Sequence, residues 1–89
     1  MHIKYNFVLQ QVADTYMAVA VGDGAKKFRG LIKLNETGKD IFEKLQQGMT
    51  VEQTVDALLL EYNATREQLQ TEVDKIVAKL KSENLIVED

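Results

Sequence analysis

The sequence predicts an α+β fold, a small three-stranded antiparallel sheet followed by three helices. Three observations lead there. Runs rich in β-branched and aromatic residues with alternating polarity are confined to the first 34 residues, and three N-cap signals, at Asn35, Thr50 and Thr65, follow in order. Behind each cap, apolar residues recur at steps of three and four, the spacing of a helix that buries one face. The 89 residues suit a single domain spanning 1–89, and no linker, repeat, low-complexity tract or proline divides them.

The strands come first. "NFVLQQVADTYMAVAV", residues 6–21, holds two β-rich runs around Asp14-Thr15, a separation short enough for a hairpin loop, and Met17, Val19 and Val21 alternate on one face. "GDGAKK" reads as a Gly/Asp turn. Gly22 and Gly24 superficially suggest a phosphate loop, but the rest of the dinucleotide fingerprint and the Lys-Ser/Thr pair of a P-loop are missing. Phe28 to Leu34 supplies the third strand, interrupted by Gly30.

The helices are set by their ends. Asn35 can accept a hydrogen bond from a first-turn amide, Glu36 suits the helix dipole, and Ile41, Phe42 and Leu45 form the apolar stripe up to the terminating Gly48. Thr50 with Gln53 makes a capping box, and Val51, Val55, Leu58, Leu59 and Tyr62 follow it. Thr65 with Gln68 repeats the box before a longer stripe of Leu69, Val73, Ile76, Val77 and Leu80, ending near Glu83. Leu85 to Val87 is expected to fold back onto the core.

Composition narrows the chemistry. Cysteine is absent, which removes disulfides, thiolate metal sites and cysteine nucleophiles and fits a reducing cytoplasm. The amino terminus lacks the apolar core of a signal peptide, and no apolar run nears the roughly 20 residues that span a bilayer, so a soluble, cytoplasmic protein without a membrane partner is expected. The net charge of −3 is unevenly placed: residues 1–34 carry +3 and residues 35–89 carry −6. Lys26, Lys27, Arg29 and Lys33 occur together without an acid, either as a docking stripe for an anionic partner or as the charges that keep an edge strand from aggregating.

No constellation for catalysis is visible. The one histidine, His2, lies at the terminus; Glu72 and Asp74 are two apart and diverge on a helix; lone carboxylates without histidine or cysteine make no transition-metal site; and Asp23 lacks the other oxygen ligands of a calcium loop. The reading is non-enzymatic, with no cofactor.

The ordered set Leu34-Asn35-Glu36-Thr37-Gly38, Ile41-Phe42, Leu45, Gly48, Thr50-Val51-Glu52, Val55, Leu58, Tyr62, Val73, Leu80 and Leu85-Ile86 resembles the PqqD-like family over nearly the whole chain. Gln47 and Glu72 depart from it, in places where an acid and an aspartate are common. The resemblance implies a winged-helix-like recognition domain that binds the leader segment of a ribosomally made precursor peptide and presents it to a modifying enzyme, often a radical SAM protein. It further implies that the leader adds as a strand beside the third strand and packs on the third helix. Carried onto this chain, the contacts are Phe28, Arg29, Gly30, Leu31, Ile32 and Lys33, with Glu72, Ile76 and Lys79 on the helix. Two other readings stand beside it, a DNA-binding winged helix and a generic adaptor or self-association domain. Nucleic acid is disfavoured because Glu52, Asp56 and Glu61 leave the second helix without a cation and acids offset the cations of the third. An exposed strand edge also permits a strand-paired homodimer.

Overall fold

The computed structural model describes residues 1–88. Its elements are β1 (His2–Ile3), β2 (Phe7–Val12), β3 (Thr15–Ala20), α1 (Gly24–Lys27), β4 (Leu31–Leu34), α2 (Glu36–Gln46), α3 (Val51–Glu61), α4 (Arg66–Ser82) and β5 (Ile86–Val87). The predicted sheet and three long helices are present, and a one-turn helix and a second, two-stranded sheet join them.

The main sheet is antiparallel in the order β2-β3-β4. Its hairpin loop is Ala13-Asp14 rather than Asp14-Thr15, because Thr15 already pairs with Val12. Ala13 takes the left-handed conformation at φ 55°, which lets the two strands meet across two residues. Phe7, Ala18, Ala20, Ile32 and Leu34 are buried beneath the helices, whereas Val8, Val12, Val21 and Leu31 are exposed. The alternating set Met17, Val19 and Val21 therefore belongs to the outer face of β3 and its continuation. Alanines occupy the inner face of β3, where small side chains leave volume for the large buried residues of the adjoining α2.

The third strand starts at Leu31, not Phe28. Gly24 is buried so closely that a Cβ there would lie 2.7 Å from the Cβ of Tyr5, and α1 forms at this contact. Phe28 closes α1, donating its N–H to the Gly24 carbonyl at 2.8 Å. Its ring meets Phe7 edge-on at 5.9 Å, and Phe7 meets Phe42 edge-on at 5.4 Å. This aromatic series ties the start of β2 to α2.

Each long helix begins as its sequence dictates. The capping boxes of Thr50 with Gln53 and of Thr65 with Gln68 are both complete. The far ends of α2 and α4 share one solution. Gly48 at φ 97° follows α2, with Met49 N–H donating to Lys44 O (3.1 Å) and Gly48 N–H to Leu45 O (3.0 Å). Asn84 at φ 59° follows α4, with Leu85 N–H donating to Leu80 O (2.9 Å) and Asn84 N–H to Lys81 O (3.0 Å). Both are Schellman closures, and the second packs Leu85 beside Leu80 in the core. Beyond it β5 pairs with β1, His2 opposite Val87 and Ile3 opposite Ile86.

The core contains Ile41, Phe42, Leu45, Val55, Leu58, Leu69, Val73 and Leu80, all anticipated from periodicity. Leu59 and Ile76 also follow the helical spacing but are half-buried, at the margins of their stripes. Among the described residues no helix is long and apolar enough to cross a membrane.

Phe42, fully buried and in contact with Phe7, is the side chain whose loss should be felt most. Phe42→Ala is expected to cost about 3–5 kcal/mol in urea unfolding, and an unchanged midpoint would show that the aromatic series does not carry the core.

Candidate functional site

The two outer strands of the main sheet differ in how their edges are treated. Val21 N–H donates to Asn6 O at 3.0 Å, which fixes the alternation of the β2–β3 ladder. Phe7, Leu9 and Gln11 consequently turn their backbone groups away from β3. At Phe7 that edge is closed by Gln46 of α2, whose Oε1 accepts from Phe7 N–H and whose Nε2 donates to Phe7 O, both at 3.0 Å. On the other side, the pairs Tyr16–Leu34 and Ala18–Ile32 carry the β3–β4 bonds, so Leu31 and Lys33 direct their N–H and C=O groups outward.

At the end of β4 the chain enters α2 through Asn35. Its Oδ1 accepts from Gly38 N–H at 2.7 Å. A Cβ on Gly38 would stand 3.1 Å from that same Oδ1, 3.3 Å from Ile76 Cδ1 and 3.4 Å from Leu34 Cδ2. Glycine therefore lets the first turn of α2 lie against α4 and sets Ile76 beside the last residue of β4. The flank of α4 that meets the strand is thereby fixed as the one carrying Gln68, Glu72 and Ile76, at four-residue steps.

Beyond β4 this junction opens into a cavity of about 380 Å³ lined by Asn35, Thr37, Tyr62, Gln68, Leu69 and Glu72, among others. A larger opening of about 460 Å³ lies between residues 2–6 and the Gly22–Gly24 turn, and neither β4 nor α4 contributes to it. The first is lined by Asn35, which directly follows β4, and by Gln68, Leu69 and Glu72 of α4, and is the candidate site.

One lining residue, Tyr62, is held by an ionic network. Asp40 accepts from the Tyr62 hydroxyl and from Lys39 Nζ, the latter at 2.6 Å, and Lys39 Nζ stands 5.1 Å from the centre of the Tyr16 ring. Burial pushes the Asp40 carboxyl up, but its bonds to Lys39 and Tyr62 outweigh this and hold it below its ordinary value. The bond from Asp40 raises Lys39 in turn. Burial, followed by the bond to Asp40, pushes the Tyr62 hydroxyl up to about 12. The network joins α2 to the end of α3, where Tyr62 lines the cavity.

The nine residues singled out from sequence occupy six kinds of position. Leu31 and Lys33 are exposed on the open strand; Ile32 is 1% exposed, and its side chain is core. Arg29 and Gly30 are exposed just before β4, and the Phe28 ring is half-buried against Phe7. Glu72 and Ile76 are half-buried on the flank beside the strand, while Lys79 is exposed one turn further along. Sequence reasoning treated Asn35 only as a cap and Tyr62 only as part of an apolar stripe, and it did not select Thr37, Gln68 or Leu69. Tyr62 carried one usable signal, since a tyrosine at the polar end of a helix needs a partner for its hydroxyl.

Two outcomes follow for the junction and the network. Asn35→Ala should lower stability by about 1 kcal/mol in thermal or urea unfolding, and a variant as stable as the parent would remove the capping role. Tyr62 is harder to ionise folded than unfolded, so the stability it contributes is complete below pH 10 and is lost as pH rises toward about 12. Urea titrations across that range should show a decline that Tyr62→Phe lessens; an unaltered pH profile would remove Tyr62 from the linkage.

Comparison with known proteins places this architecture. The family model described as coenzyme PQQ synthesis protein D (PqqD) matches residues 9–86. A solved structure of TbiB1 in complex with the TbiA(beta) leader peptide superposes with a TM-score of 0.72 over 100% of both chains, at 22% sequence identity, which is a likeness of fold. No curated protein matches the sequence. With the family match running from β2 into β5 and the sheet and three long helices in the corresponding order, the chain belongs to the PqqD family.

Proposed function

We propose that the protein is a non-catalytic peptide chaperone, acting as one unit over residues 1–89, that binds the leader segment of a ribosomally synthesised precursor peptide and presents it to a modifying enzyme. The observation that carries this reading is the open edge of β4, which lies beside the α4 flank while the opposite edge is closed at Phe7 by Gln46. An extended peptide can satisfy the outward N–H and C=O groups of Leu31 and Lys33 and become a fourth strand. Membership of the PqqD family and the likeness to a protein solved with a leader peptide support the same reading.

Backbone pairing carries little sequence information, so selectivity comes from the side chains around the edge. Arg29, Leu31 and Lys33 flank the strand, and Glu72, Ile76 and Lys79 lie along the helix. Phe28 and Gly30 shape the approach to β4, and Ile32 supports it from the core. The peptide then carries apolar residues and at least one acid. Its receiving enzyme, in this proposal, is a radical SAM protein of the cytoplasm. The alternatives lack comparable support, because α3 has three acids and no cation to meet phosphate, and the same β4 edge that could pair with a second copy is the one assigned to the peptide.

The test is a titration against synthetic peptides encoded beside the gene. Arg29→Glu with Lys33→Glu should weaken leader binding several-fold at low salt and flatten its salt dependence, since exposed ion pairs are screened. Circular dichroism checks that the double variant is folded. A folded double variant that binds like the parent at low salt would exclude the cationic strand as a contact, and absence of binding by the parent would overturn the proposed function.

A further inference from the structure

The side chains around the open edge differ in sign from one end to the other. Lys33 stands on the open strand, Arg29 just before it and Lys26 and Lys27 at the end of α1; all are exposed, and none takes part in an ion pair among the described residues. Beyond the far end of the strand the cavity is lined in part by Glu72, and the exposed Glu36 lies close enough for its charge to be felt at Tyr62. Neither acid belongs to the internal network, where Asp40 is taken by Lys39 and Tyr62. Lys75 reaches Glu72 only at 3.6 Å and is itself largely exposed, which leaves carboxylate lone pairs available. The Asn35 side chain and the Thr37 hydroxyl add polar groups to the same cavity.

We infer that the cavity between Asn35 and Glu72 is a subsite for one cationic side chain, a lysine or arginine, of the peptide whose acid meets Lys33, so that opposite charges at the two ends of the groove set the register of the bound strand. This rests on the peptide-binding reading above and adds the charge pattern of the ligand. A cationic side chain is the occupant that complements a recess containing Glu72 with Glu36 nearby; an acid there would be repelled, and an apolar side chain would displace water from the carboxylate without replacing its hydrogen bonds.

Strand geometry makes the pattern more specific. Lys33 projects from the outer face of the sheet, whereas the cavity lies on the helix side, the side of Ile32 and Leu34. Side chains of a bound strand alternate between these faces, so an acid beside Lys33 and a base in the cavity are separated by an odd number of positions. With about 3.3 Å of rise per residue, the short step from Lys33 to the Asn35–Thr37 junction corresponds to roughly three, at most five, positions.

A display library of random peptides about twelve residues long, selected on the full chain at low salt, tests the register. Enriched sequences should carry an Asp or Glu three or five positions from a Lys or Arg. Selection on Glu72→Gln should lose the base and keep the acid, and selection on Lys33→Gln should do the reverse. For one enriched peptide, Glu72→Gln should weaken binding roughly two- to fivefold, within the range of an exposed ion pair. Peptides enriched without a base, with an even spacing, or with the base retained on Glu72→Gln would overturn this inference while leaving peptide binding intact. Failure to enrich any peptide would overturn the peptide-binding reading together with the subsite.

Discussion

The arrangement depends on how closely α2 approaches α4 at Gly38. A side chain there would have to share space with Asn35, Leu34 and Ile76, each within 3.1–3.4 Å of the missing Cβ. With glycine, the cap of α2, the end of β4 and the middle of α4 meet at one point. Strand edge and helix flank then bound a single groove. The Asn35 cap and the Gly38 contact are parts of one constraint, because the Gly38 amide that Asn35 satisfies belongs to the residue whose lack of a side chain admits Ile76.

The sheet's two edges show how a small domain can expose one strand and protect another. Unpaired edges invite association with any extended chain. At the start of β2, a single side-chain amide from α2 meets both backbone groups of Phe7, as a neighbouring strand would. Among the described residues β4 receives no such cover at Leu31 and Lys33, and its lysine is of the kind that discourages aggregation while remaining able to meet an acid. The protection is local to Phe7, since Leu9 and Gln11 of β2 also face outward; what further distinguishes β4 is the flank of α4 that Ile76 sets beside Leu34.

Local signals were the legible ones. Asn35, Thr50 and Thr65 announce their helices because a cap is a contact between residues three apart, and the stripes behind them locate most of the core. Features that depend on distant partners were not legible. Turn α1 forms where Gly24 meets Tyr5, and the β1–β5 pairing joins the two ends of the chain. Alternation alone does not tell which face of β3 is inside: Met17, Val19 and Val21 are the bulkier set, yet Ala18 and Ala20 lie beneath the helices. The same limit applied to the groove. The third strand could be proposed from its composition, but the flank of α4 beside it follows from a close approach between residues 38 apart in sequence, Gly38 and Ile76.

The β1–β5 pairing has a consequence for how the domain can be joined to other chains. His2 lies opposite Val87 in an antiparallel ladder, so the polypeptide enters and leaves this short ribbon at the same end, with the Cα atoms of these two residues about 5 Å apart. A segment attached at either end starts from the same place on the surface, and the whole fold can be spliced into a surface loop of a host protein without stretching the host's backbone. A short tether at that point would hold host and domain at high effective concentration, with delivery to the host's own active site then governed by tether length rather than by a second binding interface.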